Sequence, residues 1–127
     1  MLVLIQRVLS KKAWPLTWTL LIIILLCLPG SYVPGDGLFG IKNFDKVVHV
    51  FLFGFNVVFW SFYYRYKLGP GKEARKMIFV ITALTIILGI AMEFVQLYFI
   101  PNRSFDNGDI IADIAGAVIV AVWLIKI

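Results

Sequence analysis

The 127-residue chain is short of nearly everything that soluble catalytic domains rely on. It has one cysteine, one histidine and seven acidic residues, and only 15% of its residues are charged. The lone cysteine, Cys27, sits inside an apolar run without a partner, which excludes a disulfide-stapled secreted domain. There is no Ser nucleophile elbow, no metalloprotease helix and no phosphatase-type basic signature. Internal repeats, low-complexity tracts and HxxxH or HExxH spacings are also missing. What is present is apolar: 61% of residues are hydrophobic, 16% are aromatic, and the mean hydropathy is +0.94. So small a chain has too much surface for its volume to hide this from water, and lipid must cover it. An ordinary cytosolic enzyme, a disordered linker and a coiled coil are excluded, and a single membrane domain over residues 1–127 is expected.

Four apolar runs cover residues 14–28, 47–64, 77–100 and 110–125. With flanking residues each approaches the roughly 20 needed to cross about 30 Å of hydrocarbon. Lipid offers the backbone no hydrogen-bond partners, so the runs are expected to be helices, at about 14–29, 45–66, 75–100 and 108–126. The fold class expected is all-α, a polytopic membrane protein built as a four-transmembrane-helix bundle. The first run could be taken for a signal peptide, but no small-x-small cleavage site follows it. A bulky Leu26 before Cys27 also argues against lipoprotein acylation, so an anchor helix is expected.

Nine of the twelve basic residues (Arg7, Lys11, Lys12, Arg65, Lys67, Lys72, Arg75, Lys76 and Lys126) fall on one side of these runs. Lys42, Lys46 and Arg103 fall on the other. Short basic loops resist export, so both termini are expected to be cytoplasmic. Trp14, Trp60, Tyr63, Tyr64 and Trp123 lie at the same inner ends, where amphipathic rings favour the headgroup layer. The formal net charge of +5 is thereby accounted for without nucleic acid.

The acids are distributed the opposite way. Only Glu73 is on the inner side, whereas Asp36, Asp45, Glu93, Asp106, Asp109 and Asp113 lie at or within the outer half. Asp45 and His49 are four apart and share a face, as do Gly89, Glu93 and Gln96 on the third helix and Asp106, Asp109, Asp113 and Gly116 on the fourth. A charged side chain at mid-helix costs at least about 2.5 to 3.5 kcal/mol by insertion scales, so Glu93 and Asp113 should face the bundle interior. Ala112 and Gly116, with Gly89, are expected to let the last two helices approach closely. Arg103 is the expected counter-ion, Asp45 the expected partner of the His49 ring, Asp106 a helix cap and Lys46 a residue that reaches for headgroups. Over Asp45, Lys46, His49, Glu93, Arg103, Asp106, Asp109 and Asp113 the formal charge is −3 with His49 neutral. Either some acid carries a proton or a cation enters; the sequence names no cofactor, and a divalent cation is the alternative.

The ordered set Asp45-Lys46-Val47-Val48-His49, Glu93-Phe94-Val95-Gln96, Pro101-Asn102-Arg103-Ser104-Phe105 and Asp109-Ile110-Ile111-Ala112-Asp113-Ile114-Ala115-Gly116 resembles the VanZ-like family of small bacterial membrane proteins, over roughly residues 14–125. Asp113 stands where the family pattern usually has Asn. The resemblance implies a bacterial plasma-membrane protein, one of whose relatives raises resistance to the glycopeptide teicoplanin, with Asp45, His49, Glu93, Gln96, Arg103 and Asp109 as the functional set.

Three functions compete on these residues. In the first, a non-catalytic protein captures a lipid-linked cell-wall precursor, a phospholipid headgroup or a glycopeptide in the acidic groove, with Asp45, Lys46, Gln96, Arg103 and Asp113 as binding residues. In the second, Glu93, His49 and Asp109 are catalytic and act by general acid-base chemistry on a lipid-linked envelope substrate. In the third, a proton or small cation passes along Glu93 and Asp113, although the inner helix halves hold no ionisable residue to continue such a path. The stretch 35–44, with Leu38, Phe39 and Ile41 between glycines, is expected to be a loop, with an interfacial lid as the alternative. The bilayer itself is the one partner the composition requires; the oligomeric state is left open.

Overall fold

The computed structural model describes residues 2–29 and 44–127, and among them every regular element is a helix. These are α1 (Leu2–Leu9), α2 (Ala13–Leu26), α3 (Phe44–Leu68), α4 (Lys72–Phe99) and α5 (Asn107–Lys126). At 1.5 Å per residue, the 25, 28 and 20 residues of α3, α4 and α5 are each long and apolar enough to cross a membrane. Helix α2 is not. Its 14 residues span only about 21 Å, because it stops at Leu26 rather than near residue 29. The expected set of four spans is therefore three long helices and one shorter apolar one. The short α1 was not expected: Gln6 and Arg7 interrupt its apolar residues, Leu2 to Ile5 and Val8-Leu9.

Local chemistry sets the ends. Pro15 sits in the first turn of α2, where its missing N–H has no helical partner to lose. Between α3 and α4, Gly69 (φ 78°) and Gly71 (φ 139°) flank Pro70 in left-handed backbone that glycine adopts most cheaply. After α4, Pro101 and Asn102 (φ 58°) reverse the chain, Asn being among the few side chains that tolerate this region. Asp106, extended at φ −129° and ψ 109°, then caps α5 by accepting the Gly108 N–H at 2.7 Å.

Apolar clusters fill both halves of the bundle. One joins Val57, Ile78, Ile81, Ala117, Ala121 and Leu124 of α3, α4 and α5; the other joins Ile22, Leu26, Leu52, Phe53 and Met92 of α2, α3 and α4. The outer surface is as apolar as the inside. Phe51, Phe79, Leu84, Ile87, Ile111 and Ile119 are exposed, while His49, Asn56, Thr85, Glu93, Gln96, Asp109 and Asp113 are buried. That inversion suits a chain whose solvent is lipid and whose polar groups must find each other.

The tightest crossing is between α3 and α5, not between α4 and α5. A Cβ placed on Gly116 would collide with the Val50 carbonyl of α3, and one on Gly54 would lie 3.4 Å from the Gly116 carbonyl oxygen. The small residue on α4, Gly89, has another task. A Cβ there would come within 2.7 Å of Asp113 Oδ2, so the glycine makes room for a buried carboxylate rather than for a backbone.

Candidate functional site

The starts of α3 and α5 and the last turns of α4 meet at one end of the bundle, and they bring six of the expected side chains together. His49, one turn into α3, is only 4% exposed and lies parallel to the Phe53 ring one turn further on, at 6.1 Å between centroids and 8° between planes. Its Nδ1 is 2.7 Å from Asp113 Oδ1 of α5. The other ring nitrogen, Nε2, faces Asp109, whose Oδ2 is 3.7 Å away. That is too long for a hydrogen bond. Asp113, not Asp45, is therefore the hydrogen-bonding partner of the His49 ring.

Asp45 belongs to a second, shallower cluster. Lys46 Nζ bonds Asp45 Oδ2 at 3.2 Å, Asp106 Oδ2 at 2.9 Å and Asp109 Oδ1 at 3.2 Å. The lysine is half-buried and folded back, so it neutralises this cluster instead of reaching outward to headgroups. Gly108 makes its path: a Cβ there would sit 2.5 Å from Lys46 Cε. The Lys46 ammonium beside Asp106 holds that carboxyl below the ordinary carboxylate range, with the Gly108 N–H assisting against partial desolvation. Asp106 thus keeps the expected capping role and gains an ion pair.

Glu93, on α4, is 1% exposed and accepts the backbone N–H of Asp106 on Oε2 at 3.0 Å. A nitrogen of His49 and one oxygen each from Glu93 and Asp109 lie within 4.8 Å of one another, as do oxygens of Asp45, Asp106 and Asp109. Asp109 is common to both groups. The inner group is buried and the outer one half-exposed.

Two expected site residues point elsewhere. Gln96 Nε2 donates to the Leu26 carbonyl at 2.9 Å, and Arg103 donates through Nε to Leu28 O at 3.0 Å and through Nη2 to Leu25 O at 3.3 Å. Together they donate to carbonyls at the C-terminal end of α2, where positive charge also suits the helix dipole. Among the described residues Arg103 makes no ion pair, and the counter-ion role expected of it falls to Lys46. Asp36, Lys42 and residues 35–43 of the expected loop or lid lie outside the described residues.

A polar link deeper in the bundle was missed. Trp60 Nε1 donates to Thr19 Oγ1 at 2.9 Å, Thr19 Oγ1 donates to Asn56 Oδ1 at 2.7 Å, and Asn56 Nδ2 donates to Thr85 Oγ1 at 3.0 Å, so α2, α3 and α4 are tied at mid-depth. The signal was available: Asn56 is seven residues after His49 on the same face of α3, and Thr19 and Thr85 interrupt apolar runs.

The sequence profile of the VanZ/LLP1 family matches residues 2–127. The chain belongs to the VanZ/LLP1 family. No curated protein and no solved structure matches it. The match takes in α1 as well as the four longer helices, so this VanZ/LLP1 chain carries its cluster within a sequence that the family profile covers almost end to end. Membership and helix composition agree on a VanZ-like membrane protein.

Proposed function

We propose that this VanZ/LLP1 chain is a multi-pass protein of the bacterial plasma membrane with both termini cytoplasmic. Its His49 cluster then opens towards the outer leaflet and binds the headgroup of a lipid-linked envelope component or a glycopeptide. The observation that carries this reading is the half-committed state of the inner cluster. His49, Glu93 and Asp109 are each held through one polar atom by the protein, and the other atom of each has no hydrogen bond among the described residues. These three buried groups come from three different helices and bring polar atoms within 4.8 Å of one another. Teicoplanin enters as the ligand class because the resemblance implies it. In a teicoplanin-susceptible bacterial host, expression of the chain should raise tolerance. His49→Ala and Glu93→Gln should remove the gain at unchanged protein abundance, and full activity of both variants would end this reading.

One observation favours a catalytic reading of the same groups. Asp113 holds the His49 ring through Nδ1 and leaves Nε2 without a hydrogen bond among the described residues, the orientation a general acid or base takes. In that case a covalently altered envelope lipid would accumulate in cells making the wild-type chain and not in cells making His49→Ala. Unaltered lipid extracts accompanied by retained tolerance favour capture.

A further inference from the structure

We propose that His49 Nε2, Glu93 and Asp109 bind one divalent transition-series ion, of the class that zinc and manganese represent, and that Asp113 is the positioning residue for its histidine ligand.

The argument starts from what each side chain has left over. His49 commits Nδ1 to Asp113, Asp109 commits Oδ1 to Lys46, and Glu93 commits Oε2 to the Asp106 N–H. The atoms left are one imidazole nitrogen and two carboxylate oxygens, the ligand types that divalent transition ions take. Nε2 belongs to a side chain that is only 5% exposed, has no hydrogen-bond partner among the described residues, and faces Asp109 Oδ2 at 3.7 Å. An imidazole and two carboxylates, buried and brought within 4.8 Å of one another from three helices, form a donor set of the kind a divalent ion takes.

Geometry separates the candidates for that centre. Zinc bonds of about 2.0–2.2 Å to nitrogen and oxygen at a tetrahedral angle put the two ligand atoms about 3.4 Å apart, close to the spacing between Nε2 and Oδ2. The neighbouring group of Asp45, Asp106 and Asp109 is no rival, because the Lys46 ammonium already fills it. Sharing Asp109 between Lys46 and the ion lets one carboxylate answer two cations. A ligand set with imidazole and only two carboxylates favours zinc or manganese over calcium, which takes six to eight oxygens. Asp113 to His49 to metal is the outer-shell relay that fixes ring orientation and tautomer at such centres.

This deepens the headgroup reading in one respect and rests on it there: three protein ligands leave open positions, which suit the phosphate of a lipid-linked headgroup. The test separates the two claims. The full chain, purified in detergent and stripped with chelator, is titrated with zinc chloride or manganese chloride alone. We expect one ion per chain and loss of that uptake in His49→Ala. Asp113→Ala should weaken affinity by about 10- to 100-fold, and Asp113→Asn, which keeps an oxygen acceptor for Nδ1, should recover most of it. A purely structural Asp113 would not show that recovery at equal folded fraction. On the wild-type chain, which no folding defect can compromise, pulsed EPR of the manganese-loaded protein should show coupling to one directly bound imidazole nitrogen. Absence of saturable one-to-one uptake by wild type, or absence of that nitrogen coupling, overturns the proposal. Binding of a polyprenyl phosphate in nanodiscs should be lost on adding chelator. Intact metal uptake with no lipid-phosphate binding leaves the metal centre standing and removes the phosphate-headgroup role.

Discussion

At the scale of single residues, position relative to lipid decides what each charge does. Lys46 is the clearest case. A lysine at the third position of the first long helix would ordinarily extend to the interface, yet three carboxylates within 3.2 Å hold it inside. Asp106 shows the reciprocal effect and yields a pH prediction. Its carboxyl is held below the ordinary range in the folded chain, so the pairing contributes stability above the ordinary carboxylate range. That contribution is lost as pH falls through the lowered folded value. Asp106→Asn keeps a capping oxygen for the Gly108 N–H but cannot titrate. Thermal unfolding in micelles between about pH 2 and 4 should therefore fall less steeply for the variant than for wild type. Equal slopes would show that the Lys46 pairing contributes nothing to folding.

At the scale of elements, two contacts fix how the helices meet. Gly116 packs on the Val50 backbone, and a methyl group there has nowhere to go; at Gly54 the nearest obstacle to a Cβ is the tip of the Val120 side chain at 3.2 Å, which can shift. Gly116→Ala should cost about 1–3 kcal/mol or more, and Gly54→Ala clearly less, in reversible unfolding from mixed micelles. Equal costs would place the tight α3–α5 crossing elsewhere. The second contact is the capping of α2. Arg103→Met strips donors from the Leu25 and Leu28 carbonyls and should cost about 1–3 kcal/mol, with Arg103→Lys recovering only part, since an ammonium cannot reach both carbonyls as the guanidinium fork does. Full recovery by lysine would reduce the contact to simple charge. The long helices were legible because unbroken apolar runs have few other solutions in lipid, and the His49, Glu93 and Asp109 grouping followed from their common depth. What stayed hidden was azimuth. A 3.6-residue period places Asp113 on a stripe but does not say which neighbour that stripe meets, so the partners of His49, Gly116 and Arg103 all came out differently from expectation. The early stop of α2 was hidden for a related reason: the groups that accept its loose end, Gln96 and Arg103, are some seventy residues further along the chain.

At the scale of the whole molecule, the question is which way the cluster faces. At the end carrying the α3–α4 turn, Lys67, Lys72, Arg75 and Lys76 are exposed, and the sequence places nine of the twelve basic residues on that side. At the cluster end the fold absorbs the positive charge it describes: Lys46 is spent on three carboxylates and Arg103 on backbone carbonyls. In the orientation proposed above, the outer end would present acids and neutralised bases, while Lys11, Lys12, Lys67, Lys72, Arg75 and Lys76 are exposed at the other. The expected consequence is measurable with Cys27→Ser as background. Ser104→Cys, exposed between α4 and α5, should react with a membrane-impermeant maleimide on intact cells, whereas Lys72→Cys, exposed at the start of α4, should react only after lysis. The opposite pattern would put the cluster in the cytoplasm, where an envelope ligand carried on the outer leaflet could not reach His49.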